Sequence, residues 1–292
     1  MSYNDFSEGQ IVHGKRDSYQ IERTLSQRNN ANVYTAVSLN QGLEVVLKKQ
    51  APSSISKGLE REAAVQILIQ RHGGHQNILS PYELIKDEKA AVFHYIKGGN
   101  LAEFQRRKGK FTPQLAIAVL SPLCDAVDYL HSLGIVHRDI KRDNVLLKLT
   151  RVADEEKAET PLIVTPKLYD FDLGWHECIS GYDLEGCVYG TPTAMAPEVC
   201  RGGKTEPRQD IYALGVLLYE LLANHSPFEA ETVRGTMWNQ FHKAAPSITN
   251  FNDQVTPGFE YVLQKTLAKK PDQRYQTAAE LKQDLELVKN DL

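Results

Sequence analysis

The octapeptide His137-Arg138-Asp139-Ile140-Lys141-Arg142-Asp143-Asn144 constrains this chain more than any other stretch. It sets out a carboxylate, an ammonium and a carboxamide at short, fixed intervals. Such a set suits phosphoryl transfer. That reaction needs a hydroxyl held in line, a cation beside the moving oxygens and an oxygen ligand for a divalent metal. Asp139 can accept the hydroxyl proton, Lys141 can neutralise phosphate charge, and Asn144 can ligate the metal. A solvated turn after a helix would also be charged, but it has no need of these residue types at these positions.

The 292 residues allow about two domains or lobes. Hydrophobic content of 41% and charged content of 24% are ordinary for a globular chain with a sizeable core. A net charge of −3 gives no electrostatic case for nucleic acid or an anionic membrane as partner. Cys124, Cys178, Cys187 and Cys200 lack paired metal-ligand spacing and read as reduced intracellular thiols. The N-terminus has no apolar signal core. The longest apolar stretch, Ile211 to Ala223, is too short for a bilayer and contains Glu220. The expectation is a cytoplasmic protein.

In chain order, residues 1–18 read as a polar, loosely ordered lead-in. Tyr19-Gln20-Ile21, Val33 to Val37 and Glu44 to Lys48 then read as a meander of strands, with Asn40-Gln41-Gly42 as a turn. A helix is expected from about Lys57 to Gln70, with Leu59, Ala63 and Ile67 on its apolar face. Ala91 to Tyr95 reads as a buried strand. Asn100 with Glu103 marks one helix start, and Thr112-Pro113 opens another whose stripe is Leu120, Leu123, Val127 and Leu130.

The octapeptide fills every defined position of His-Arg-Asp-x-Lys-x-x-Asn, and thereby resembles the catalytic loop of eukaryotic-type Ser/Thr protein kinases. Further motifs carry the resemblance over about residues 19–288. Val45-Val46-Leu47-Lys48 looks like the kinase strand whose lysine holds the α- and β-phosphates. Glu62 is similar to the helix glutamate that pairs with that lysine, with Glu60 as the alternative register. Asp170-Phe171-Asp172 stands where the family has Asp-Phe-Gly. Gly190-Thr191-Pro192-Thr193-Ala194-Met195-Ala196-Pro197-Glu198 closes the segment that follows. Asp210 resembles the buried aspartate that holds the catalytic-loop backbone, and Arg274 the arginine that pairs with Glu198.

The resemblance implies an α+β, bilobal protein-kinase fold: a small β-rich N-lobe with one helix (19–95) and a larger, mainly helical C-lobe (96–292). It implies ATP and Mg²⁺ as cofactors and a protein substrate. Asp139, Lys141 and Asn144 take the catalytic roles, with Asn144 and Asp170 on the metal. Lys48 and Glu62 face the phosphates, Phe93 is the gatekeeper, and the backbone of His94, Tyr95 and Ile96 meets adenine. The glycine-rich loop of the family would span Ser26, Arg28, Ala31 and Val33, but all three of its glycines are gone. Arg28 would then either plug the pocket or fold over bound phosphate. Asp172 in place of glycine bears on backbone switching, because glycine alone flips freely. The polar stretch Thr150 to Thr160 reads as a surface insertion. Arg138 invites neutralisation by a phosphate on Ser180, Tyr182 or Tyr189, although Glu177, Asp183 and Glu185 lie nearby in sequence.

Three readings follow. The first is an active Ser/Thr protein kinase, the second a pseudokinase acting as a nucleotide-binding or partner-binding scaffold, and the third a small-molecule kinase of related fold. The lost glycines favour the second. The retained Lys48, Glu62, Asp139, Lys141, Asn144 and Asp170 favour the first, and the Ala-Pro-Glu segment with its arginine disfavours the third.

Overall fold

The structure, a computed structural model, describes residues 5–27, 31–51, 58–151, 162–179 and 188–291. Contacts divide the chain into two compact units. One comprises Met1–Gly74, Leu79–Ile96 and Asp170–Asp172; the other comprises His75–Ile78, Lys97–Tyr169 and Leu173–Leu292.

The first unit is a six-stranded antiparallel sheet with one helix. Its strands are β1 (Ile11–His13), β2 (Ser18–Gln27), β3 (Ala31–Ser38), β4 (Glu44–Gln50), β5 (Glu83–Ile85) and β6 (Ala90–His94), in the order β1-β2-β3-β4-β6-β5. Alternation explains the two faces. Tyr34, Ala36, Val45, Leu47 and Val92 turn to a core shared with Tyr19, Ile21 and Val12. Directly paired residues share a face, so Ser26, Val33, Lys48 and Ala91, opposite one another across four strands, form a row on the other side.

The lead-in is a correction to the sequence reading. Phe6 is buried against Tyr34, β1 extends the sheet, and the Lys49 ammonium sits 3.8 Å above the Phe6 ring. Isolated apolar residues in a polar segment hide such a strand, because only the sheet supplies its partner.

Helix α1 (Gly58–Arg71) also departs from expectation. Its buried face carries Arg61, Glu62, Val65, Gln66 and Ile69, while Ile67 is exposed. The predicted stripe of Leu59, Ala63 and Ile67 is not that face. Buried polar groups need partners, and here they have them: Gln66 Nε2 donates to Leu79 O at 2.9 Å, and Arg61 Nη1 to Asp172 O at 2.6 Å.

The second unit is helical, with a β-hairpin, β7 (Val145–Arg151) against β8 (Leu162–Leu168). Its helices are α2 (Leu101–Lys108), α3 (Pro113–Ser132), α4 (Pro197–Cys200), α5 (Arg208–Ala223), α6 (Val233–His242), α7 (Pro257–Thr266) and α8 (Ala278–Lys289). Asn100 caps α2 and Thr112 caps α3, with Pro113 in the first turn as its sequence signalled. Leu120, Leu123, Val127 and Leu130 are fully buried. Helix α5 is buried from Gln209 to Ala223, including Asp210 and Glu220. Most of the expected Thr150 to Thr160 insertion lies outside the described residues. No described helix is long and apolar enough to cross a membrane.

Candidate active site

In the second unit, α3 delivers the chain into the catalytic-loop octapeptide. Asp210, fully buried at the start of α5, organises it. Its Oδ2 accepts from the His137 N–H at 2.8 Å and from His131 Nε2 at 3.0 Å, and its Oδ1 accepts from the Arg138 N–H at 2.9 Å. Burial alone would raise its carboxyl pKa, but these donors outweigh burial and hold it below the ordinary value. The bonds offset a backbone strain: Arg138 adopts φ +71°, a left-handed conformation that a bulky residue avoids. His137 accepts from the Asp139 N–H on Nδ1, so the Nε2–H tautomer donates to Tyr169 O.

Asp139 is thereby aimed. Its Oδ2 accepts from Lys141 Nζ at 2.6 Å and Asn144 Nδ2 at 2.9 Å, and its Oδ1 from the Thr191 hydroxyl at 2.7 Å. Lys141 Nζ also reaches Thr191 Oγ1 at 2.7 Å. Asn144 is buried on the short 3₁₀ turn Arg142–Asn144. Both its amide bonds go to Asp139, and its Oδ1 accepts nothing among the described residues. A hard cation seeks such an oxygen. Thr191, part of the Gly190 to Glu198 stretch, contacts both Asp139 and Lys141.

In the first unit, Lys48 lies within β4, two residues from its end. Its Nζ meets three carboxylates: Glu62 of α1 at 2.7 Å, Asp170 at 2.6 Å and Asp172 at 2.9 Å. Glu62 rather than Glu60 is the buried partner. Burial works against the Lys48 ammonium, yet the three anions together hold its pKa well above the ordinary value. Burial pushes the Glu62 carboxyl up; Lys48 opposes this, and Asp172 and Asp170 reinforce it. The ligand oxygens of Glu62, Asp170 and Asp172 lie within 4.8 Å of one another, a donor set of the kind that hard divalent cations take. Asp170 adopts φ +69°, so both Arg138 and Asp170 hold left-handed backbone where the chemistry is expected.

The remaining expected positions divide. Ser26 and Val33 stand in the row with Lys48, and Ala31 starts β3, paired with Gln50. Phe93 is buried in β6. The Tyr95 N–H donates to Glu44 O at 3.1 Å, beside His94 at the end of β6. Arg28 lies outside the described residues, as do Ser180, Tyr182, Asp183, Glu185 and Cys187. Tyr189 is buried. Its hydroxyl is bonded to Thr205 and Gln209, and its ring lies 4.5 Å beneath the Arg138 guanidinium, which removes this hydroxyl from the modification candidates. Glu198 and Arg274 form a bidentate pair with two 2.8 Å bonds.

The family model of the protein kinase domain matches residues 19–285. The chain belongs to the protein kinase family. It is 28% identical over 255 residues to the serine/threonine-protein kinase PknL of Mycobacterium tuberculosis, covering 80% of this chain and 61% of that one. It is 27% identical over 288 residues to PknB of the same species, covering 94% and 43%, and 29% identical over 284 residues to PrkC of Bacillus subtilis, covering 94% and 41%. The chain thus spans 41% to 61% of the length of these relatives. Protein kinases as a class use ATP and a divalent metal.

Proposed function

We propose that this chain transfers the γ-phosphoryl group of ATP to serine or threonine hydroxyls of protein substrates, with Mg²⁺ as the metal. Three relatives of similar sequence bear the name serine/threonine-protein kinase. The observation that carries the reading is the aim of Asp139. Three donors fix its carboxylate, and one of them is the cation expected at the phosphate. Asp139 accepts the proton of the substrate hydroxyl. Lys141 stays beside it to offset the negative charge of the transferring group. Thr191 holds both in register. Lys48, oriented by Glu62, would hold the nucleotide phosphates, and Asp170 with Asn144 Oδ1 would hold the metal. A metal held there would supply charge neutralisation at the phosphate oxygens. His94 and Ile96 present hinge backbone to the base, with Phe93 behind it.

Transfer of labelled phosphate from ATP to protein, wild type against Asp139→Asn, tests this. General-base removal is expected to lower turnover by about 10²–10⁴-fold, with nucleotide affinity nearly intact. Equal rates for the two proteins would leave the scaffold reading, which the lost glycines of the 26–31 loop favour.

A further inference from the structure

An ammonium group has three N–H donors and no more. At Lys48 all three are matched by carboxylates: Glu62, Asp170 and Asp172. Glu62 is the partner expected from the kinase resemblance, and Asp170 is the residue expected on the metal. The third is particular to this chain, because position 172 is where glycine would stand. Glycine offers the lysine nothing, so one donor would stay open for an incoming anion.

We propose that Asp172 is a resident competitor of nucleotide phosphate: its carboxylate occupies the third donor of Lys48 and must be displaced before a phosphate oxygen can bind there. This rests on the reading that Lys48 takes phosphate. Two observations place the competitor firmly. Arg61, buried on α1, donates from Nη1 to the Asp172 carbonyl at 2.6 Å, which fixes the backbone so that the side chain returns to the lysine. Residue 172 has no left-handed φ, so an aspartate sits there without the strain that an obligatory glycine position would impose.

The same arrangement makes displacement feasible. Three carboxylates crowd one ammonium in a largely buried cluster, with side-chain exposures of 14% for Lys48, 4% for Glu62 and 20% for each aspartate. Like charges at this distance repel, the more so out of water. The two aspartates are equally exposed and neither is on α1; Asp170 is the one assigned to the metal, which leaves Asp172 as the acid that swings to solvent. Asp172 thus sets nucleotide affinity through Lys48, without touching the reacting atoms. It is a positioning residue whose effect is on binding.

The test is calorimetric titration of the magnesium complex of a non-hydrolysable ATP analogue, with adenosine as the phosphate-free probe. The proteins are wild type, Asp172→Gly, Asp172→Asn and Lys48→Met, with Lys48→Met also combined with Asp172→Asn. Asp172→Gly is expected to bind the analogue about tenfold tighter, equivalent to about 1.4 kcal/mol, and Asp172→Asn to recover part of that gain. Asn keeps the shape and the Arg61 bond, so it serves if the glycine variant does not fold. Adenosine affinity should not change, and the gain should vanish in the Lys48→Met background. Unchanged or weaker analogue binding by both Asp172 variants, while Lys48→Met alone weakens it, overturns the competitor and leaves the kinase reading standing. An equal gain for adenosine overturns it too. Lys48→Met without effect in either background would instead overturn the assignment of phosphate to Lys48.

Discussion

The two charged clusters are mirror images of one another. At the catalytic loop one carboxylate, Asp139, receives three donors: Lys141, Asn144 and Thr191. On β4 one donor group, Lys48, faces three carboxylates: Glu62, Asp170 and Asp172. The first arrangement over-determines a single acceptor, as a group that must take a proton in a fixed direction requires. The second surrounds a single cation with anions that repel one another, so removing one acid relieves the others. Substitutions should therefore act in opposite senses: loss of a partner breaks the loop, and loss of an anion relieves the strand cluster.

The largest effect is expected at Asp210, which supports the loop. Asp210→Ala orphans the buried N–H groups of His137 and Arg138, each at about 1–3 kcal/mol, so the expected loss is about 2–6 kcal/mol in urea denaturation. Turnover should fall as well, because Arg138 then relaxes from its left-handed φ and Asp139 loses its aim. Asp172→Asn in the other cluster should change stability by less than about 1 kcal/mol, as for a partly exposed ion pair. Comparable losses in the two variants would erase the distinction between the clusters.

Next in size is Asp170→Asn. If Asp170 is the metal-binding member of the strand cluster, nucleotide binding by this variant should no longer depend on Mg²⁺, while wild type binds more tightly with it. Titrations with and without EDTA compare the two directly. A persisting Mg²⁺ dependence in Asp170→Asn would move the metal to Asp172 and Glu62, whose oxygens are close enough to serve.

These two regions also differ in how far the sequence disclosed them. The loop was legible because its chemistry is contiguous: Asp139, Lys141 and Asn144 fall within six residues, and the chain need only turn to bring them together. The strand cluster draws on β4, α1 and the 170–172 segment, and its register depends on packing. The sequence favours Glu62 with Glu60 as the alternative, and the face that α1 buries decides for Glu62. The apolar pattern of α1 misled for the same reason, since Arg61, Glu62 and Gln66 are buried against partners far away in sequence. The sequence shows Asp172 as a departure from glycine, and that departure by itself points only to backbone stiffness. Its carboxylate on Lys48 is a tertiary contact that spacing does not encode.

The smallest expected effect is a pH dependence that sharpens the picture of the loop as the region where charge is answered. Next to Lys141, Arg142 Nε bonds Glu220 Oε2 at 2.9 Å, and Arg142 Nη1 donates to Gln105, whose amide donates to the Glu220 carbonyl. Burial pushes the Glu220 carboxyl up to about 7. Arg142 opposes this, and Asp143 and Glu229 add to it. The folded value lies above the ordinary 4.5, so the folded protein binds a proton that the unfolded chain has released. The contribution of Glu220 is therefore fully present below about pH 4.5 and is lost as pH rises through about 7. Glu220→Gln keeps an acceptor for Arg142 but cannot ionise. The stability difference, wild type minus variant, should fall between those two pH values and be flat on either side. A difference that stays flat across this window and rises with pH only below about 4.5 would mean that Arg142 outweighs burial, and that this pair, like Asp139, is fully compensated.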